Sequence, residues 1–91
     1  MRKKIYVHVA DDHKILIEGI IAIINTDEDI EIRDFSLNGQ EVVDWFKKKE
    51  NKADVLILDI TMTLLDGFEV LKYFHSKKID QKVIVLSSYD D

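Results

Sequence analysis

Short apolar runs that break off at carboxylates or hydroxyls, with helix-period segments between them, constrain this chain more than any other feature. Ile5–Ala10 stops at Asp11-Asp12, Val55-Leu56-Ile57-Leu58 stops at Asp59, and Val83-Ile84-Val85-Leu86 stops at Ser87-Ser88. An apolar run of this length suits a strand buried on both faces, and strands alternating with helices predict a parallel sheet with right-handed crossovers. The expected architecture is therefore α/β, a doubly wound parallel sheet with helices on both faces, in the order β-α-β-α-β-α-β.

The segments between the runs bear this out in detail. Over Lys14–Ile24, Ile17, Ile20, Ile21 and Ile24 follow the i, i+3, i+4, i+7 pattern of an amphipathic helix, widened by Leu16 and Ile23. Gly19 lies inside it; a mid-helix glycine costs about 1 kcal/mol against Ala, so it is expected to mark a close approach by a neighbouring element. Residues 25–29 are polar and predict an exit loop. Residues 30–35 are the most polar strand candidate, with Ile30, Ile32 and Asp34 alternating against Glu31, Arg33 and Phe35, as at a sheet edge. Asn38 with Glu41, and Asp66 with Glu69, have the spacing of an N-cap and its capping-box acid. Val42, Trp45 and Phe46 follow the first pair before a helix that ends in lysines; Val70, Leu71 and Phe74 follow the second.

Composition narrows the function. The 91 residues include 13 Lys+Arg and 18 Asp+Glu, a net charge of −5, and no Cys. An acidic chain lacks the basic face that phosphate contacts need, so any DNA contact is expected only through a separate output domain. Lys47, Lys48, Lys49 and Lys52 read as a solvated helix end. The absence of Cys removes disulfides, thiolate zinc and cysteine nucleophiles, and fits a cytoplasmic setting. The first apolar stretch is too short and too interrupted for a signal peptide or a membrane span, so no membrane partner is expected.

The strand ends carry the chemistry. Ligands of open α/β sheets bind beyond the carboxyl ends of the strands, where strand order reverses. If the first, third and fourth strands are neighbours at about 4.8 Å spacing, Asp11, Asp12, Asp59 and Ser87 meet in one crevice. Carboxylates that close repel one another, and a divalent cation relieves the repulsion; oxygen ligands point to Mg²⁺. A carboxylate can also attack phosphorus and form an aspartyl phosphate. Asp59, alone at the end of the central strand, is the candidate nucleophile; the Asp11-Asp12 pair suits the metal. Taken singly, each strand-end Asp reads as a turn or cap, and Ser87-Ser88 as the start of a turn. His8 and His75 read as packing or surface residues and Trp45 as packing for the second helix, while His13 is placed to extend the Asp11-Asp12 cluster.

Asp11-Asp12 after an apolar strand, Val55-Leu56-Ile57-Leu58-Asp59-Ile60-Thr61-Met62, Leu65-Asp66-Gly67-Phe68-Glu69 and Val83-Ile84-Val85-Leu86-Ser87-Ser88 occur in the order in which the receiver domain of two-component response regulators carries them. The chain resembles that family along its whole length, and Ala10-Asp11-Asp12-His13 resembles the LuxR/FixJ-type transcriptional subgroup. The resemblance implies a flavodoxin-like fold with strand order 2-1-3-4-5. It implies that Asp59 accepts a phosphoryl group from a sensor histidine kinase. It further implies that Asp11, Asp12, Asp59 and the main-chain carbonyl of Thr61 serve Mg²⁺, and that Ser87 is the switch hydroxyl. In that family the domain is a phospho-acceptor that catalyses at most its own phosphorylation and dephosphorylation, and Asp66-Gly67 is a structural turn.

Two departures stand out. Thr63 occupies the place where the family has Pro, and the family's Lys at the end of a fifth strand is absent from a sequence that stops at Asp91. The expectation is a partial receiver over residues 1–91, lacking the last strand and helices, with Asp90-Asp91 as the cap of a missing helix. Such a piece is expected to bind Mg²⁺ but to phosphorylate poorly, and to self-associate or exchange segments through its open fourth strand. Two other classes of function fit parts of the pattern. A haloacid-dehalogenase-type phosphotransferase also uses a strand-end Asp and Mg²⁺, but has an Asp where this chain has Thr61; a phosphorylation-independent dimerisation module would leave the acid pocket vestigial.

Overall fold

The computed structural model describes residues 3–86. Strands β1 (Ile5–Ala10), β2 (Ile30–Ser36), β3 (Val55–Asp59) and β4 (Lys82–Leu86) alternate with helices α1 (Lys14–Ile24), α2 (Gly39–Lys47) and α3 (Gly67–Ser76). All three strand pairings are parallel, and the sheet order is β2-β1-β3-β4, so strand order reverses between β1 and β3. A core lies on each side of the sheet. Val7, Val9, Ile17 and Ile32, with Ile20, Ile21 and Ile24, form the side covered by α1. Ala10, Val42, Leu56, Leu58, Val70 and Phe74 form the side covered by α2 and α3, where the Phe46 and Phe74 rings meet edge to face at 5.1 Å.

Both N-caps form, and among the described residues only the first has a capping-box acid that bonds back to the chain before its helix. Asn38 accepts from the Glu41 N–H at 2.8 Å, while the Glu41 carboxylate accepts from the Leu37 N–H at 2.8 Å. Asp66 accepts from the Glu69 N–H at 2.9 Å. Each bond satisfies a helix-start donor that would otherwise lack a partner.

Two expectations need correction. The register of β2 slips between Val7 and His8: Val7 pairs with Ile32 but His8 with Asp34, leaving Arg33 as a bulge residue. One extra residue reverses the strand's facing. Asp34 therefore lies across the sheet from Ile30 and Ile32, where it accepts from the Trp45 indole N–H at 2.8 Å. The strand also runs one residue further, to a buried Ser36.

Gly19 does not mark a close approach. It is exposed, and a Cβ built on it meets nothing within 4 Å, because the core-facing stripe of α1 lies on the opposite side of the helix. Gly19→Ala is accordingly expected to stabilise the monomer by about 0.5–1 kcal/mol through helix propensity alone, read as a higher urea midpoint with an unchanged slope. Close approach occurs instead at Gly39 and Gly67. A Cβ at Gly39 would collide with the backbone carbonyl of Leu65, and one at Gly67 would come within 2.7 Å of both the Asp59 carbonyl oxygen and Ile60 Cα. The loop between β3 and α3 is thus gripped from both sides by helix-start glycines.

Candidate acid pocket at the strand ends

The sheet order places the ends of β1 and β3 side by side, and with them Asp11, Asp12 and Asp59. One ligand atom from each of Asp11, Asp12, His13 and Asp59 falls within 4.8 Å of the others. Asp11 and Asp59 are buried, at 2% and 3% exposure. Asp11 is held by the chain itself: its N–H donates to the Ser36 carbonyl at 3.0 Å, and its Oδ1 accepts the His13 N–H at 2.8 Å. Asp59 Oδ1 accepts from the Thr61 N–H at 3.1 Å and from the Thr61 hydroxyl at 3.4 Å. Asp59 Oδ2 accepts no hydrogen bond among the described residues.

His13 is more involved than the sequence indicated. Its Nδ1 lies 2.9 Å from Asp11 Oδ1 and 3.0 Å from Asp12 Oδ1, while the rest of the ring is open to solvent. The hydrogen bond to Asp11, then the negative charge of Asp12, raise its pKa above the usual histidine value. A positive charge between the carboxylates offsets part of their repulsion. Asp12 Oδ1 is nonetheless buried with no hydrogen bond of acceptable geometry among the described residues; the His13 nitrogen is close to it but directed at Asp11.

The structure thus brings Asp11, Asp12 and Asp59 together as the strand ends predicted. Thr61 reaches the cluster through its N–H and hydroxyl. Ser87 lies outside the described residues, as do Asp90 and Asp91. His75 is exposed on α3. His8, read as packing or surface, is fully buried on the α2 side of β1, with its ring 4.2 Å from that of Trp45 and Nε2 2.7 Å from the Ser36 hydroxyl. Among the described residues its Nδ1 has no partner. Burial lowers its pKa to about 4, against a small opposing pull from Asp34. Its position in an apolar run signalled burial; the identity of its partners was invisible because the bulge at Arg33 sets them.

Among the described residues no helix is long and apolar enough to cross a membrane. Residues 7–91 match the family model of the response regulator receiver domain. The chain is 38% identical over 86 residues to a protein-glutamate methylesterase/protein-glutamine glutaminase of Clostridium acetobutylicum, covering 94% of this chain and 24% of the relative. It is 31% identical over 83 residues to the transcriptional regulatory protein YhcZ of Bacillus subtilis, covering 91% of this chain and 38% of the relative. It therefore spans well under half of these curated relatives. Among solved structures, a Francisella response regulator receiver domain superposes with a TM-score of 0.84 at 30% identity, over 97% of this chain and 69% of that one. The response regulator domain of Thermotoga maritima CheB gives 0.83 at 36% identity, over 94% of this chain and 62% of that one. Sheet order, helix placement and the family model agree that this chain belongs to the response regulator receiver domain family.

Proposed function

We propose that Asp59 is the phospho-acceptor of a signalling domain that takes its phosphoryl group from a sensor histidine kinase. The observation that carries this reading is the meeting of Asp11, Asp12 and Asp59 at the β1/β3 crossover, with Asp59 Oδ2 free of hydrogen bonds among the described residues. In the transfer, Asp59 Oδ2 forms a bond to phosphorus as the phosphorus–nitrogen bond of the donor phosphoimidazole breaks, and the imidazole keeps the electron pair and takes up a proton. The Thr61 N–H holds Oδ1 and so fixes which oxygen is presented. Ser87 is proposed as the switch hydroxyl on the strength of its place after the β4 run. Residues 1–91 are proposed to form part of a single receiver domain.

The pocket also fits a resident Mg²⁺. Its donors are mostly carboxylate oxygens, and Asp12 Oδ1 is a buried acceptor without a hydrogen bond. Asp11, Asp12, Asp59 and the Thr61 carbonyl would hold the ion, which when bound neutralises charge on the transferring group. A ligand that binds only the folded state stabilises it by about 2.7 kcal/mol at a hundred times its dissociation constant. Asp12→Asn is expected to abolish that increment in urea titrations with and without Mg²⁺. Asp12→Asn retaining the full Mg²⁺ increment would remove Asp12 from the ligand set.

Output through DNA binding in a longer cytoplasmic protein is supported by relatives named as transcriptional regulatory proteins, YhcZ and the DegU of Brevibacillus brevis. RcsB of Salmonella enterica, 25% identical, is described bound to a promoter in the presence of phosphomimetic BeF₃⁻. Ile84 and Val85, exposed at 54% and 43% on the outer strand of the described sheet, favour self-association or segment exchange by the 91-residue chain. The test of the central reading is incubation with Mg²⁺ and a small acyl-phosphate donor. A single phosphoryl group by intact mass on a minor share of the chains, in keeping with the poor phosphorylation expected of this 91-residue sequence, absent with a chelator and absent in Asp59→Asn, supports it; equal labelling of Asp59→Asn would defeat it.

A further inference from the structure

The sheet has a second end, where β1 and β3 begin, about 16 Å from Asp59 along β3 at about 3.3 Å per residue. There the loops before β3 and β4 border a cavity of about 400 Å³. Protein sites for small ligands run from about 300 to 1,000 Å³. Tyr6, Phe46 and Ile79 give it an aromatic and aliphatic lining, and Lys48, Lys49 and Lys52, all exposed, give it three cations. Lysines that the sequence marks as a solvated helix end thus share one cavity. Among the described residues none of the three is in an ion pair. The one acid in the lining, Asp54, is already engaged, its Oδ2 accepting the Tyr6 N–H at 2.8 Å.

Hydrogen bonds hold this cavity in shape. The Asp54 N–H donates to the Tyr6 carbonyl at 2.8 Å, making a reciprocal pair with the bond to Oδ2. Asn51 Nδ2 donates to the Trp45 carbonyl at 3.0 Å, and Gln81 Nε2 to the Ala53 carbonyl at 3.2 Å. Residues 51–54 are therefore tied to α2, to β1 and to the residue before β4. A second cavity of about 590 Å³ shares Ala53, Asp54 and Gln81 with the first and adds Lys3, Lys4 and Lys82 against Asp80. The net charge of −5 hides this separation, with carboxylates converging at one end of the sheet and lysines at the other.

We propose that this cavity binds a nucleoside polyphosphate, its base against Tyr6 and Phe46 and its phosphates among Lys48, Lys49 and Lys52. Aromatic rings accept any flat base by stacking, and ammonium groups on long stems meet phosphate oxygens as point charges. Arg33 stacks on the Tyr6 ring at 4.3 Å from its centroid but lines a neighbouring cavity rather than this one, which leaves the other side of the ring for the base. Neither half of such a ligand suffices alone: a bare phosphate leaves the aromatic wall wet, and a bare nucleoside leaves the cations unanswered. None of Asp11, Asp12, His13 or Asp59 lines the cavity, so the proposal stands apart from phosphoryl transfer.

Titration of the 91-residue chain with ATP in metal-free buffer, followed by amide NMR and calorimetry, tests this. Shifts are expected at residues 48–54 and 79–81 and not at Asp11, Asp12 or Asp59, with a dissociation constant below about 1 mM. Adenosine alone and inorganic triphosphate alone are each expected to bind at least about tenfold more weakly. Lys49→Glu and Lys52→Glu, both at exposed positions, should keep the wild-type spectrum away from the cavity and weaken ATP at least about tenfold. Three results would each overturn the proposal: no shift at residues 48–54 up to about 10 mM ATP, inorganic triphosphate binding as tightly as ATP, or ATP binding unchanged in both lysine variants. The second of these would make the lysines a general anion patch with no part for the rings.

Discussion

Gly67→Ala is expected to cost about 3 kcal/mol or more of folding stability and to displace Asp59, the proposed phospho-acceptor, with it. The added methyl would sit 2.7 Å from the carbonyl oxygen of Asp59 and from Ile60 Cα, and both are backbone atoms that cannot rotate away. Overpacking at such a contact normally costs 1–3 kcal/mol, and more where the backbone itself must shift. The Gly67 N–H also donates to the Ile60 carbonyl at 2.8 Å, so separating α3 from the β3 end strains the bond that closes the loop. Gly39→Ala should be at least as damaging, since its Cβ would overlap the Leu65 carbonyl. Urea unfolding measures the stability loss, and weaker Mg²⁺ stabilisation in whatever folded fraction remains reports the displacement of Asp59. Ordinary stability with unchanged Mg²⁺ response in Gly67→Ala would show that the loop is not gripped as described.

The second large effect is a loss of stability in acid that originates at His8. The folded-state pKa of His8 is lowered to about 4, whereas the unfolded chain has the ordinary value near 6.5. Below pH 6.5 the unfolded state takes up a proton that the folded state refuses, so protonation favours unfolding. Stability from this group is complete above about pH 6.5, falls by about 1.4 kcal/mol per pH unit below it, and levels off near pH 4, for a total of roughly 3 kcal/mol. Carboxylates titrate at the lower end of that window, so the comparison needed is with His8→Gln, which has no titrating ring. Urea unfolding at intervals from pH 7 to 4 should give a steeper decline for wild type than for the variant. Parallel curves would mean that His8 is protonated in the folded state.

How far the sequence could be read follows from which properties are local. Strand and helix positions, both N-caps and the convergence of Asp11, Asp12 and Asp59 rest on periodicity and on the rule that parallel strands place their carboxyl ends together, and all are found. The bulge at Arg33 has no such signature, because nothing in residues 30–36 distinguishes a slipped register from a regular one. Its consequences were therefore hidden too: Asp34 turned to meet Trp45, and Ser36 buried against His8. Glycine was read through its cost to a helix, which singled out Gly19. The glycines under real steric demand stand at helix starts, where that cost vanishes and only the tertiary neighbours, Leu65 and Asp59, reveal the need. His13 was visible as a neighbour of two aspartates, but its position between both carboxylates depends on the turn that Asp11 makes with the His13 N–H.

Asp59, rather than either neighbouring carboxylate, is proposed to carry the phosphoryl group. Reductive trapping of the chain after exposure to Mg²⁺ and an acyl-phosphate donor, followed by peptide mapping, tests it most directly, since borohydride converts an aspartyl phosphate to homoserine at the acceptor position. Conversion is expected at position 59 alone, dependent on Mg²⁺. Conversion at Asp11 or Asp12, or trapping at position 59 that proceeds equally in the presence of a chelator, would contradict it.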